Sequence, residues 1–181
     1  MNSIDIKELL VNFEKSRKNL LAVIIFTVIN MILLLSNANI NFLFSATLPQ
    51  FVIALGQNIA SEWNNNSLII AVVIITFIIL LPYIIFWFLS KYYRVLMLAA
   101  LIYFGIDTLA LVILIFTIGF EFSFLLEIGF HCWIIYYLSK GVIIWNQLRK
   151  NDKDLIENST EKKLEKTILS EKKKFHEYFF K

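Results

Sequence analysis

Between Leu68 and Leu89 the chain runs for 22 residues without a charged side chain. A helix of that length reaches about 33 Å, enough to cross the roughly 30 Å hydrocarbon core of a bilayer. Three further runs are long and largely apolar. Leu20–Ser36 is the shortest, at 17 residues, and Thr27 and Asn30 are its only internal polar residues. Val95–Ile118 carries Asp107 near its middle, and Phe122–Trp145 contains Glu127 and His131. In hydrocarbon every backbone N–H and C=O must find its partner inside the protein, so runs this long and apolar are read as helices. The expected fold is all-α: a polytopic transmembrane four-helix bundle.

Composition supports this reading because it is uneven. Of 181 residues, 59% are hydrophobic and only 17% are charged, and the charges crowd the two ends. Soluble domains are nearer half apolar and a quarter charged. The length fits one compact unit without a second globular domain. Abundant Ile, Lys, Asn and Phe point to an AT-rich bacterial genome. The one cysteine, Cys132, has no partner for an intrachain disulfide and lacks the companions of a structural zinc site. About 19 largely polar residues precede the first apolar run, which is unlike a cleavable signal peptide.

Three regions follow. Residues 1–19 form an amphipathic arm. Ser3 can cap a helix over 3–18, Ile6, Leu9, Leu10 and Phe13 recur at helical spacing, and Lys15, Arg17 and Lys18 suit anionic headgroups. Residues 20–148 hold the four spans, with an outer segment at 37–67. Within it, 42–56 is apolar but interrupted by Ser45, Thr47, Pro49 and Gln50, so it is expected to be interfacial or re-entrant. Residues 57–67 read as a polar outer loop. Pro82 is placed to kink the second span. Residues 149–181 form a charged tail, and from 146 onward there are ten Lys or Arg and seven Asp or Glu. Leu164, Ile168, Phe175 and Phe179 give that tail a helical spacing. Lys and Arg lie in the arm, the 90–94 turn and the tail, but not in 37–67 or the 119–121 turn. The positive-inside rule then places both termini in the cytoplasm. Trp87, Tyr92, Tyr93 and Trp145 fall where an inner aromatic belt is expected.

Asp107, Glu127 and His131 are the candidate functional cluster, because ionisable groups inside a membrane are costly and face partners. The tight turn near Phe120 makes spans three and four antiparallel neighbours. Asp107 lies 13 residues before Phe120 and His131 lies 11 after it. Their depths then differ by about 3 Å, so they can meet near mid-membrane. Glu127, one turn from His131 on the same face, lies closer to the outside. Asn30, with Thr27, can join from span one. Three roles fit these residues. They can relay protons, since imidazole titrates near neutral pH. Asp107, Glu127 and His131 can ligate a divalent metal, although three ligands of mixed spacing make a weak pattern. The plainer role is a hydrogen-bonded link between helices. Cys132 beside His131 points about 100° away and is read as a packing residue, not a nucleophile.

No P-loop, GxGxxG, HExxH or paired-cysteine motif is present, so no cofactor is expected and catalysis ranks below binding or transport. The basic tail is balanced by acids, which argues against nucleic acid as a partner. The expected partners are the lipid bilayer and either further copies of the chain or another membrane protein. The stretches FLFSATLP at 42–49, GIDTLALVIL at 105–114 and EIGFHCWIIYYLSKG at 127–141 resemble a group of uncharacterised small four-span membrane proteins of low-GC Gram-positive bacteria. That resemblance implies a bacterial plasma membrane location and no particular activity. Two functional classes follow: a partner-binding or regulatory membrane subunit, and a small oligomeric transporter or channel moving protons or metal ions through the polar cluster.

Overall fold

The structure, a computed structural model, describes residues 3–36, 38, 45–65, 67–119 and 122–179, with side chains described between 6 and 152 and at Leu164. Among the described residues there are five helices and no strand. They are α1 (Ser3–Leu35), α2 (Thr47–Glu62), α3 (Ser67–Leu89), α4 (Leu96–Ile118) and α5 (Phe122–Phe179). Stretches of α1, α3, α4 and α5 are long and apolar enough to cross a membrane. At most 33% of the most apolar stretch of any of the four is buried within the protein. Phe116 and Phe122 are 87% and 77% exposed. Apolar surface on this scale needs a covering other than water, and it fits a multi-pass membrane protein.

The amphipathic arm and the first span form one helix without a break. The reason lies in the polar residues between them. Ser16 Oγ donates back to the Asn12 carbonyl at 3.4 Å, and Asn19 Nδ2 to the Lys15 carbonyl at 2.9 Å, so both support the turn before them. Phe13, Leu20, Val23, Ile24 and Met31 then carry one buried stripe along α1. The last span and the tail are likewise one helix, which at 58 residues is about 87 Å long. Leu164 on the tail is exposed. The side chains of Ile168, Phe175 and Phe179 lie outside the described residues, as do Phe120 and Glu121 of the expected turn and residues 42–44 of the outer segment.

The outer segment departs most from expectation. Residues 57–62, read as a polar loop, continue α2 to Glu62. The polar side chain at the start of that stretch has a partner: Gln57 Nε2 donates to the Leu34 carbonyl at 2.9 Å. That carbonyl is one of the last four of α1, which no turn of α1 can satisfy. Its neighbours are closed locally, by Ser36 N–H to the Ile32 carbonyl and Ala38 N–H to the Leu33 carbonyl.

Close approaches fix the packing. A Cβ on Gly56 of α2 would overlap the Val72 side chain of α3. A Cβ on Gly141 of α5 would lie 2.9 Å from Met97 Cγ of α4 and 3.0 Å from Ser16 Cβ of α1. Small residues let apolar helices approach where solvent supplies no drive to pack.

Arg17 corrects another expectation. It is not free for headgroups but is 7% exposed. Its Nε donates to Ser90 Oγ at 3.0 Å and its Nη2 to the Trp87 carbonyl at 3.1 Å. α3 ends at Leu89, so this cation sits on the negative end of the helix and supplies a donor to a carbonyl of its last turn. Pro82 stands inside α3 without ending it. Proline cannot donate to the carbonyl four residues earlier, and in the same turn the Tyr103 hydroxyl of α4 donates to the Ile79 carbonyl at 2.8 Å.

Candidate functional site

α2 begins in the interior of the protein. A helix leaves its first four N–H groups without intrahelical partners. Here they are those of Ala46, Thr47, Leu48 and Pro49. Ala46 N–H donates to Thr27 Oγ1 of α1 at 2.9 Å. Thr47 N–H and Leu48 N–H donate to Asp107 Oδ2 and Oδ1 of α4, both at 2.8 Å. Pro49 has no N–H to satisfy. Every orphan donor is therefore accounted for. The carboxylate also lies on the positive end of the helix, where a negative charge is favoured.

Depth follows from the same bonds. Asp107 is the central residue of α4, Leu96–Ile118. The start of α2 therefore lies level with the middle of a helix long enough to span a bilayer. From there α2 runs about 24 Å, short of a full crossing.

Asp107 and His131 do come together, as the turn arithmetic requires. His131 Nε2 lies 3.9 Å from Asp107 Oδ2, which is beyond hydrogen-bond range. Thr47 stands between them. Its N–H reaches Asp107, and its hydroxyl lies 3.3 Å from His131 Nε2. On the other side of the ring, Thr108 Oγ1 lies 2.9 Å from Nδ1 and donates to the Phe104 carbonyl at 2.9 Å. A hydroxyl faces each ring nitrogen, and because Thr108 gives its one proton to the Phe104 carbonyl it can only accept from Nδ1–H, which leaves Nε2 to face the Thr47 hydroxyl as an acceptor. Phe104 stacks on the imidazole with centroids 4.8 Å apart. The expected direct bond between Asp107 and His131 is thus replaced by a threonine bridge from a third helix. Asp107 and His131 are 0% and 1% exposed.

Asn30 joins the group. Its Nδ2 donates to Ser45 Oγ at 2.8 Å, and Gln50 Nε2 also donates to Ser45 Oγ. Glu127 does not join. It is half-buried and makes no hydrogen bond or ion pair among the described residues. Among the described residues no group of three or more His, Cys, Asp or Glu side chains is placed to hold a metal ion. The metal reading of Asp107, Glu127 and His131 therefore has no geometry behind it. Cys132, read as a small packing residue, is exposed.

Sequence reasoning missed Thr47, Thr108 and Ser45 as members of the cluster. One signal was available. Pro49 interrupts the apolar run at 42–56, and a proline within the first turn of a helix, preceded by Ser45 and Thr47, marks a helix start. Tyr83 was also missed. Its hydroxyl is buried without a hydrogen-bond partner among the described residues, and its ring meets Tyr103 edge-on at 4.7 Å.

An apolar groove of about 250 Å³ lies between α2 and α4, lined by Leu48, Phe51, Ala110, Leu114 and neighbours. Of the polar cluster only Thr47 reaches it. No family model, curated protein or solved structure matches the chain.

Proposed function

We propose that this chain is a non-transporting membrane subunit: a four-helix transmembrane bundle in a bacterial plasma membrane, both termini cytoplasmic, that acts through a protein partner. The observation that carries this reading is the use of Asp107. Both of its oxygens bond the start of α2, so the most polar constellation in the interior is occupied in holding the fold together. A carrier needs groups that exchange their partners, and an intramembrane carboxylate in a transport path faces a cavity or its cargo. The second support is α5, which continues as a helix to Phe179, 27 residues past the stretch that ends at Asp152. Its charged sequence gives a partner an extended helical surface outside the membrane. The distribution of Lys and Arg supports the orientation.

The test compares two readouts. In proteoliposomes, the wild-type protein is expected to carry no proton flux above empty liposomes. In native membranes, the full chain is expected to migrate in a complex larger than its own oligomer, and a chain truncated after Asp152 to lose that complex. Proton flux in the wild type that vanishes in a folded His131→Ala variant would instead establish transport.

A further inference from the structure

At the end of the protein where α3 gives way to α4, three cations converge on one pocket. Lys91 and Arg94 come from the turn between the two helices, and Arg149 comes from α5. Tyr92, Trp145 and Asp152 complete the lining of a pocket of about 250 Å³. Three positive charges against one negative leave an excess of two.

These cations differ from Arg17, which lies at the same end. Arg17 is consumed by Glu14, Ser90 and the Trp87 carbonyl. Lys91, Arg94 and Arg149 make no hydrogen bond or ion pair among the described residues. Three cations around a single carboxylate keep a net repulsion, and the arrangement is relieved by a bound anion. The lining also selects the kind of anion. Two guanidinium groups offer planar forks that match phosphate oxygens, and the ammonium adds a point charge. Arg149 is oriented by stacking, with its guanidinium carbon 5.7 Å from the Trp145 ring centroid. Trp145 packs against the protein core, so it anchors that side of the pocket. Tyr92 and Trp145 belong at the level of the headgroups, where basic pockets between helices meet lipid phosphates.

The geometry points to a phosphate-binding site formed by Lys91, Arg94 and Arg149, taking a phosphate ester at the membrane surface. A phosphatidylglycerol headgroup and a free phosphate share this chemistry, and the test separates them.

The full chain, purified in neutral detergent, is titrated with phosphatidylglycerol, phosphatidylcholine or inorganic phosphate while its thermal unfolding is followed. Ligand that binds the folded state raises the melting temperature. Phosphatidylglycerol is expected to raise it where phosphatidylcholine does not. Arg149→Gln is expected to weaken apparent binding about tenfold, the effect of removing one charge-assisted pair. Lys150→Gln, one residue away but outside the pocket, is expected to leave binding unchanged. Arg94→Gln should act as Arg149→Gln does. Should that half-buried position prevent folding, Lys91→Gln at an exposed position takes its place. Stabilisation by inorganic phosphate with the same residue dependence assigns the site to a soluble phosphate. Two results overturn the proposal: no ligand stabilising more than phosphatidylcholine, or Lys150→Gln weakening binding as much as Arg149→Gln, which is diffuse attraction without a site.

Discussion

Asp107 Oδ2 on α4 accepts the backbone N–H of Thr47 at 2.8 Å, across 60 residues of sequence. With the matching bond from Leu48 N–H to Oδ1, one side chain caps a helix that starts inside the protein. Asp107→Asn keeps one acceptor but turns an NH₂ toward a backbone N–H. The expected cost is about 1–3 kcal/mol, the range for one buried donor left unsatisfied. Asp107→Ala leaves both donors without an acceptor and should cost roughly twice that. Thermal unfolding in detergent micelles measures the order: wild type above Asn above Ala. Equal stability of all three would remove the capping role.

Arg17 and Glu14 offer a contrast between a buried contact and an exposed one. Their ion pair is 2.7 Å long, but the Glu14 side chain is half exposed. Such pairs contribute about 0–1 kcal/mol. Glu14→Ala is therefore expected to be nearly neutral. Arg17→Ala removes the donor to the Trp87 carbonyl and the partner of Ser90, and should cost about 2–3 kcal/mol. Arg17→Lys should recover only part, because an ammonium lacks the fork that reaches both acceptors. Unfolding of the three variants under one condition gives the comparison.

Gly56 and Gly105 separate close packing from simple helix propensity. Alanine at Gly56 meets the Val72 side chain, whose branched carbon allows little retreat. A loss of about 1–3 kcal/mol is expected, and Val72→Ala in the same chain should restore much of it. At Gly105 nothing lies within 4 Å of the added carbon. Gly105→Ala should be neutral or stabilising by up to about 1 kcal/mol. A double-mutant cycle on Gly56 and Val72 reads the coupling directly.

Tyr83 and Tyr103 pack edge to face, yet their hydroxyls have different surroundings. That of Tyr103 donates to the Ile79 carbonyl beside Pro82, and that of Tyr83 has no partner among the described residues. Tyr103→Phe should cost about 1 kcal/mol. Tyr83→Phe removes a buried group that gains nothing from its burial, and should be neutral or stabilising. Loss of stability in Tyr83→Phe would show that its hydroxyl has acquired a partner, such as a bridging water.

The four long apolar helices were legible in the sequence because a bilayer demands such lengths, and a 22-residue run such as Leu68–Leu89 admits few other readings. The meeting of Asp107 and His131 was legible too, since a tight turn fixes the register of the helices on either side. Two kinds of feature were not. Where apolar periodicity runs straight on, as from Phe13 to Leu20, a change from charged to apolar residues does not mark a helix end, so α1 and α5 came out longer than the segments expected. Contacts made by backbone amides leave no trace in side-chain patterns. Thr47 and Leu48 reach Asp107 through their N–H groups, and only Pro49, at a position where a missing N–H costs nothing, hinted at a helix start. Arg17 was misplaced for a related reason: its acceptors include a carbonyl, which carries no sequence signal.

If Asp107 holds α2 in place, the amide protons of Thr47 and Leu48 report on it without an intermediary. Hydrogen exchange at these amides is compared between the wild type and Asp107→Asn in the same micelles, with α3 as internal reference. Protected amides are expected in the wild type, with faster exchange in the variant concentrated at Thr47 and Leu48 and absent from α3. Unchanged protection at Thr47 and Leu48 in the variant would contradict that role, and would leave the carboxylate free for a role in transport.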